Sequence, residues 1–108
     1  MQQGTIKWLD KEARSMLGIV KQSYLDVVDY LDQHELWTDD KKSEQSVVES
    51  RIKSLEMRCN MLLMELDSYD PLADNIEDSE QAILVDWGTF NELYSETFNN
   101  IDNLDENV

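Results

Sequence analysis

Proline occurs once in the 108 residues, at Pro71, and glycine three times, at Gly4, Gly18 and Gly88. So few chain breakers leave room for long helices and exclude the usual phosphate-cradling glycine loops. Cysteine also occurs once, at Cys59, so no intramolecular disulfide can form. A lone thiol on an apolar stripe reads as a small buried hydrophobe, and with no signal-like start it points to a reducing, cytoplasmic setting. Long hydrophobic runs are missing as well. The longest, residues 61–64 and 82–85, fall far below the ~20 residues of a membrane span.

Histidine is equally scarce: His34 stands alone beside Glu35 and reads as a surface or capping residue. No Glu-x-x-His pair accompanies it, because Leu31 holds the position a metal-binding glutamate needs, so a ferritin-like di-metal bundle is disfavoured. Residues 67–78 have the length and acidic ends of a calcium loop, but the turn glycine is missing, Tyr69 occupies a ligand position and Pro71 interrupts. Nothing around Cys59 resembles a nucleophile signature. Close carboxylate pairs carry no information about acid/base catalysis in a chain with 24 Asp and Glu, since chance supplies many. No catalytic residue, metal site or cofactor is expected, and the chain reads as non-enzymatic.

The most telling absence is that of positive charge. All nine Lys and Arg lie at or before Arg58, while Cys59 to Val108 contains thirteen carboxylates and no base. Of the formal charge of -15, that half carries -13 and the first 58 residues only -2. Solvated helices ordinarily mix signs, because an i, i+4 Glu to Lys pair stabilises by about 0.2 to 0.5 kcal/mol and a like pair costs as much. The acidic set comprises Asp67, Asp70, Asp74, Glu77, Asp78, Glu80, Asp86, Glu92, Glu96, Asp102, Asp105 and Glu106. Helix-like steps between them imitate a run of phosphates, which a basic nucleic-acid-binding groove would attract. In size and acidity the chain resembles DNA-mimicking proteins, including phage inhibitors of restriction and CRISPR enzymes. That resemblance implies a protein partner with a basic surface, such as a nucleic-acid-binding enzyme, and no direct contact with nucleic acid or membrane. The competing account is that the acidity only keeps a small protein soluble.

What is present is helical periodicity. Val48, Ile52, Leu55, Cys59, Leu62, Leu66 and Tyr69 advance in alternating steps of four and three, the spacing that keeps one line of side chains against a neighbour. An earlier face runs through Ile6, Leu9, Ala13, Met16, Leu17, Val20, Tyr24, Val27, Val28 and Leu31, with Thr5 expected as its N-cap. Gly18 inside it reads as a close helix contact or a bend. A third face follows Ile83, Trp87, Phe90, Tyr94, Thr97, Ile101 and Leu104. Thr89 and Glu92 have capping-box spacing, so either this helix is kinked at Gly88, the preferred reading, or it starts only at Phe90. The predicted architecture is a single all-α domain, an antiparallel three-helix bundle. Its helices are expected over residues 6–36, 39–69 and 79–104, with Thr38 capping the second and a connector over 70–78.

Two helices carry more apolar surface than such a bundle needs. Met57, Met61 and Met64 lie opposite the main seam of the second helix. On the first, Trp8, Ile19 and Tyr30 recur every eleven residues, with Trp37 expected on the same side. Either the third helix covers these stripes or at least one is an interface, most simply that of a homodimer. The alternative function is accordingly a structural or adaptor bundle that engages a partner helix.

Repulsion among the carboxylates makes a stability prediction. Added monovalent salt is expected to raise the melting temperature in a thermal unfolding series; a flat or falling response would mean that the charges are compensated within the fold.

Overall fold

The six apolar residues from Val48 to Leu66 on the central seam are all buried, between 0 and 8% exposed, and Tyr69 continues the line half-buried. They belong to the middle member of a three-helix bundle. The computed structural model describes residues 1–106, which form α1 (Gln3–Gln33), α2 (Asp39–Asp67) and α3 (Ile76–Asp105) with no strand among them. Each helix is about 30 residues, and the bundle measures 57 × 19 × 16 Å. Ile6, Leu9, Ala13, Met16 and Val20 of α1 and Ile83, Phe90 and Ile101 of α3 close on the α2 seam as one cluster. Fully burying a side chain of this kind contributes roughly 1.5 to 3 kcal/mol. Among the described residues Thr97 is the one buried polar side chain, and its hydroxyl donates to the Leu93 carbonyl at 2.7 Å.

Contacts between helices give their senses. Lys21 meets Glu56 and Tyr24 meets Glu49, so partner numbers fall along α2 as they rise along α1. Lys41 reaches Leu104 and Arg51 reaches Glu96, the same relation between α2 and α3. Between α1 and α3 the numbers rise together, from Met1 with Glu80 to Trp8 with Trp87.

Several boundaries differ from those the sequence suggests. Thr5 lies inside α1, which begins two residues earlier with Gln2 as its N-cap and no side-chain cap bond. Thr38 does cap α2, its hydroxyl accepting from the Lys41 backbone at 3.2 Å, while Asp39 and Asp40 occupy the first turn. α2 stops at Asp67, and the connector spans residues 68–75. There the Leu72 backbone donates to the Asp70 carboxylate at 2.9 Å, a local turn around Pro71. α3 starts at Ile76, which places Glu77 and Asp78 in a first turn where negative charge suits the helix dipole. It is helical through residues 82–89, and the Thr89 hydroxyl donates back to the Val85 carbonyl rather than capping a new start. Gly18 makes no close contact, since nothing lies within 4 Å of where its Cβ would be. The last four residues, 105–108, are expected to fray by their terminal position; Asp105 ends α3 and Glu106 is its C-cap, and Asn107 and Val108 lie outside the described residues.

The early end of α1 has a local cause. The Glu35 backbone donates to the Asp32 carbonyl and the Leu36 backbone to the Leu31 carbonyl, the paired bonds of a Schellman motif. That motif needs a left-handed residue, and Glu35 supplies it at φ 52°. The helix therefore ends at Gln33, three residues early, and Trp37 lies past the reversal. A non-glycine residue pays about 1 kcal/mol or more for that conformation. Replacing Glu35 with Gly is expected to stabilise the protein by about 0.5 to 1 kcal/mol, after allowing for the looser unfolded chain. Chemical denaturation of Glu35→Gly beside Glu35→Ala tests this, because only the glycine variant should gain.

Candidate functional site

Ten of the twelve acidic residues singled out are exposed: Asp67, Asp70, Asp74, Glu77, Asp78, Glu92, Glu96, Asp102, Asp105 and Glu106. Glu80 and Asp86 are half-buried and occupied within the fold. Glu80 receives the amino terminus of Met1 and the Tyr69 hydroxyl, and these two donors hold its carboxyl below the usual carboxylate range. The Tyr69 hydroxyl also lies 3.1 Å from the Met1 carbonyl.

The exposed acids do not form one file. Glu92 and Glu96 line the groove between α2 and α3, whereas Asp102 falls on the flank toward α1 by its helical position. Asp67, Asp70 and Asp74 cap the end of the bundle at the α2–α3 connection. Cations from the first half of the chain also reach this surface. Arg51 pairs with Glu96 at 3.0 Å, and the Lys41 ammonium donates to the carbonyls of Leu104 and Glu106, each at 2.7 Å. Lys41 thus supplies the positive charge that the last turn of α3 lacks. Sequence reasoning missed Lys41. Its role is set by the register between helices, to which a position in the first turn of α2 is the only clue.

The methionine stripe is open. Met57 is 66% exposed, Met61 48% and Met64 70%. Met57 and Met61 form one wall of a groove of about 570 Å³ whose other residues are Ser54, Arg58, Thr89, Glu92, Leu93 and Glu96. The apolar stripe of α2 and two of the α3 carboxylates therefore share one surface. Val85, also exposed, was absent from the expected interface set.

On α1, Trp8, Ile19 and Tyr30 are all about half exposed, with Trp8 resting against Trp87 at 5.8 Å between ring centroids. Trp37 does not join them: it is half-buried beyond the end of α1, and its indole donates to Asp32. Tyr30 instead lies against His34, the C-cap of the helix, with ring centroids 4.4 Å apart and the planes tilted by 49°.

Cys59 is buried and its thiol is pushed up by that burial, the state of a packing residue. Among the described residues no three His, Cys, Asp or Glu side chains gather as metal ligands, and no helix is long and apolar enough to cross a membrane.

The unusual titrating group is Glu65, on α2 beside Asp86 of α3. Partial burial, then its hydrogen bond and repulsion with Asp86, push its carboxyl up to about 7. Glu65 therefore keeps its proton to a higher pH than an exposed carboxyl would. Between the ordinary carboxylate range and about 7 the folded protein holds more protons than the unfolded chain, so this pair loses stability as pH rises through that window. Glu80 acts in the opposite sense, its contribution being lost on acidification below the usual carboxylate range. Melting temperatures at about pH 5 and pH 7.5 are expected to differ more for the wild type than for Glu65→Gln, which cannot titrate; equal differences would remove the pair as the cause. In comparisons with known families, curated proteins and solved structures, the chain matches none.

Proposed function

We propose that the protein is a non-enzymatic binder that occludes a basic surface of a larger protein, in the manner of a nucleic-acid mimic inhibiting a DNA- or RNA-binding enzyme. The phage anti-restriction and anti-CRISPR inhibitors that the composition resembles act in that sense, and a cytoplasmic setting accords with it. The observation that carries the reading is the exposure of Glu77, Asp78, Glu92, Glu96 and Asp102 along a helix with no Lys or Arg of its own. Carboxylates there take the place of phosphates, and opposite charge on the partner speeds encounter and fixes orientation. Competition is steric as well as electrostatic, because a rod 57 Å long covers a nucleic-acid channel once seated.

A second reading rests on a separate observation, the exposure of Met57, Met61 and Met64. An open methionine stripe suits a partner helix, and the protein is then an adaptor whose acidity serves solubility.

One experiment separates the two. Inhibition of DNA cleavage by a restriction endonuclease and by an RNA-guided nuclease is measured with the wild type, Glu92→Gln/Glu96→Gln and Met57→Asp/Met61→Asp, at rising salt. The mimic predicts inhibition that weakens about tenfold or more between roughly 50 and 200 mM salt, and a clear loss in the glutamine variant. Absent or salt-insensitive inhibition counts against it. Loss confined to the methionine variant transfers the function to the adaptor reading.

A further inference from the structure

The outer face of α1 has a symmetry of its own. Trp8, Ile19 and Tyr30 stand eleven residues apart, three helical turns, so Ile19 is the midpoint of an evenly spaced line roughly 33 Å long. All three are open, at 54, 49 and 44%. Charge along the same helix is antisymmetric about that midpoint. Lys7 and Lys11 are exposed before it, and Asp26, Asp29 and Asp32 are exposed after it. Of the other charges of α1, Arg14 pairs with Asp10 and Lys21 with Glu56, while Glu12 is half-buried close to Tyr94. Among the described residues Lys7 and Lys11 have no ion-pair partner, and Asp26 and Asp29 accept only from the amides of Gln22 and Gln33.

We propose that a second copy of this chain docks on this face, the two α1 helices packing antiparallel about a two-fold axis at Ile19. That axis sets Ile19 on Ile19 of the second copy and Trp8 against its Tyr30, so each apolar residue meets an apolar one. It brings position 7 opposite position 31 and position 11 opposite position 27. Lys7 and Lys11 then lie near the aspartates at the other copy's helix end, twice over, which outweighs the one like-charge pair that the axis makes, Glu12 with Asp26. A parallel pairing would set like charge on like and is disfavoured. Next to the axis lie Ser15 and Gly18, and the space around Gly18 is empty, so the two backbones can approach closely there. Trp8 and Tyr30 add large aromatic contact area on either side of the central Ile19. The α2–α3 groove stays free in this dimer, so the inference stands independently of the proposed function.

Sedimentation of the wild type over about 10 µM to 1 mM is expected to show a concentration-dependent dimer. Ile19→Asp, at an exposed position, should be monomeric with unchanged helical circular dichroism. Lys7→Glu/Lys11→Glu and Asp26→Lys/Asp29→Lys should each be monomeric alone, yet form a one-to-one heterodimer when mixed, because the altered ends then meet with opposite sign. A wild type that stays monomeric to about 1 mM overturns the proposal. So does an Ile19→Asp variant that still dimerises, or a mixture that stays monomeric.

Discussion

Everything on the surface of this protein depends on the strip of α2 that faces both other helices. The fold carries a formal charge of -15, and its like-charged neighbours push against compaction without pause. Each such pair on a helix costs only about 0.2 to 0.5 kcal/mol, because water screens it. A fully buried leucine or isoleucine contributes several times that. Leu55 and Leu62 on α2, Ile83 and Phe90 on α3 and Val20 on α1 are all at most 1% exposed, so apolar burial decides the contest. Because the seam is this secure, a whole helix can be left without a base of its own.

The seam was readable because periodicity is local. Every residue from Val48 to Leu66 that the four-three alternation selects is buried; on the third helix Ile83, Phe90, Thr97, Ile101 and Leu104 are buried, Trp87 and Tyr94 half-buried, and the Thr97 hydroxyl is satisfied on its own helix. What could not be read depends on backbone states or on register. Glu35 adopts a left-handed conformation that favours glycine, and a glutamate there gives no warning that α1 stops, so Trp37 was placed on a helix it does not belong to. Lys41, Arg51 and the amino terminus find partners 63, 45 and 79 residues away, separations that no spacing rule encodes. The methionines on α2 were recognised as surplus to a bundle core, and their exposure follows from three helices having no fourth to cover them.

Polarity separated along the chain is not the same as polarity separated in space. Because α2 runs against α3, its base-bearing first half lies beside the last turns of the acidic helix, and Lys41 and Arg51 are spent there. Arg58 lines the same groove as Glu92. The negative field is therefore diluted along the flank shared with α2 and strongest on the outward crest of α3 and at the connector. Two carboxylates of that connector end, Glu77 and Asp78, also serve the first turn of their own helix, which gives part of the acidity a purely local cause.

The same folding-back accounts for the meeting of two carboxyls, Glu65 and Asp86, instead of a carboxyl and a base. At the height where α2 presents Glu65, α3 presents Asp86, and the half of the chain both come from contains no base. Neither an ion pair nor full exposure is open to a partly covered acid there, so a held proton is the remaining way to limit the cost of burial. Sign purity in the sequence thus has a structural consequence independent of any partner: where two stretches of the acidic half pack together, neutralisation comes from the solvent. A helix free to add a lysine at that height would have resolved the contact with an i, i+4 or cross-helix pair, as Arg51 does with Glu96 about three turns further along α3.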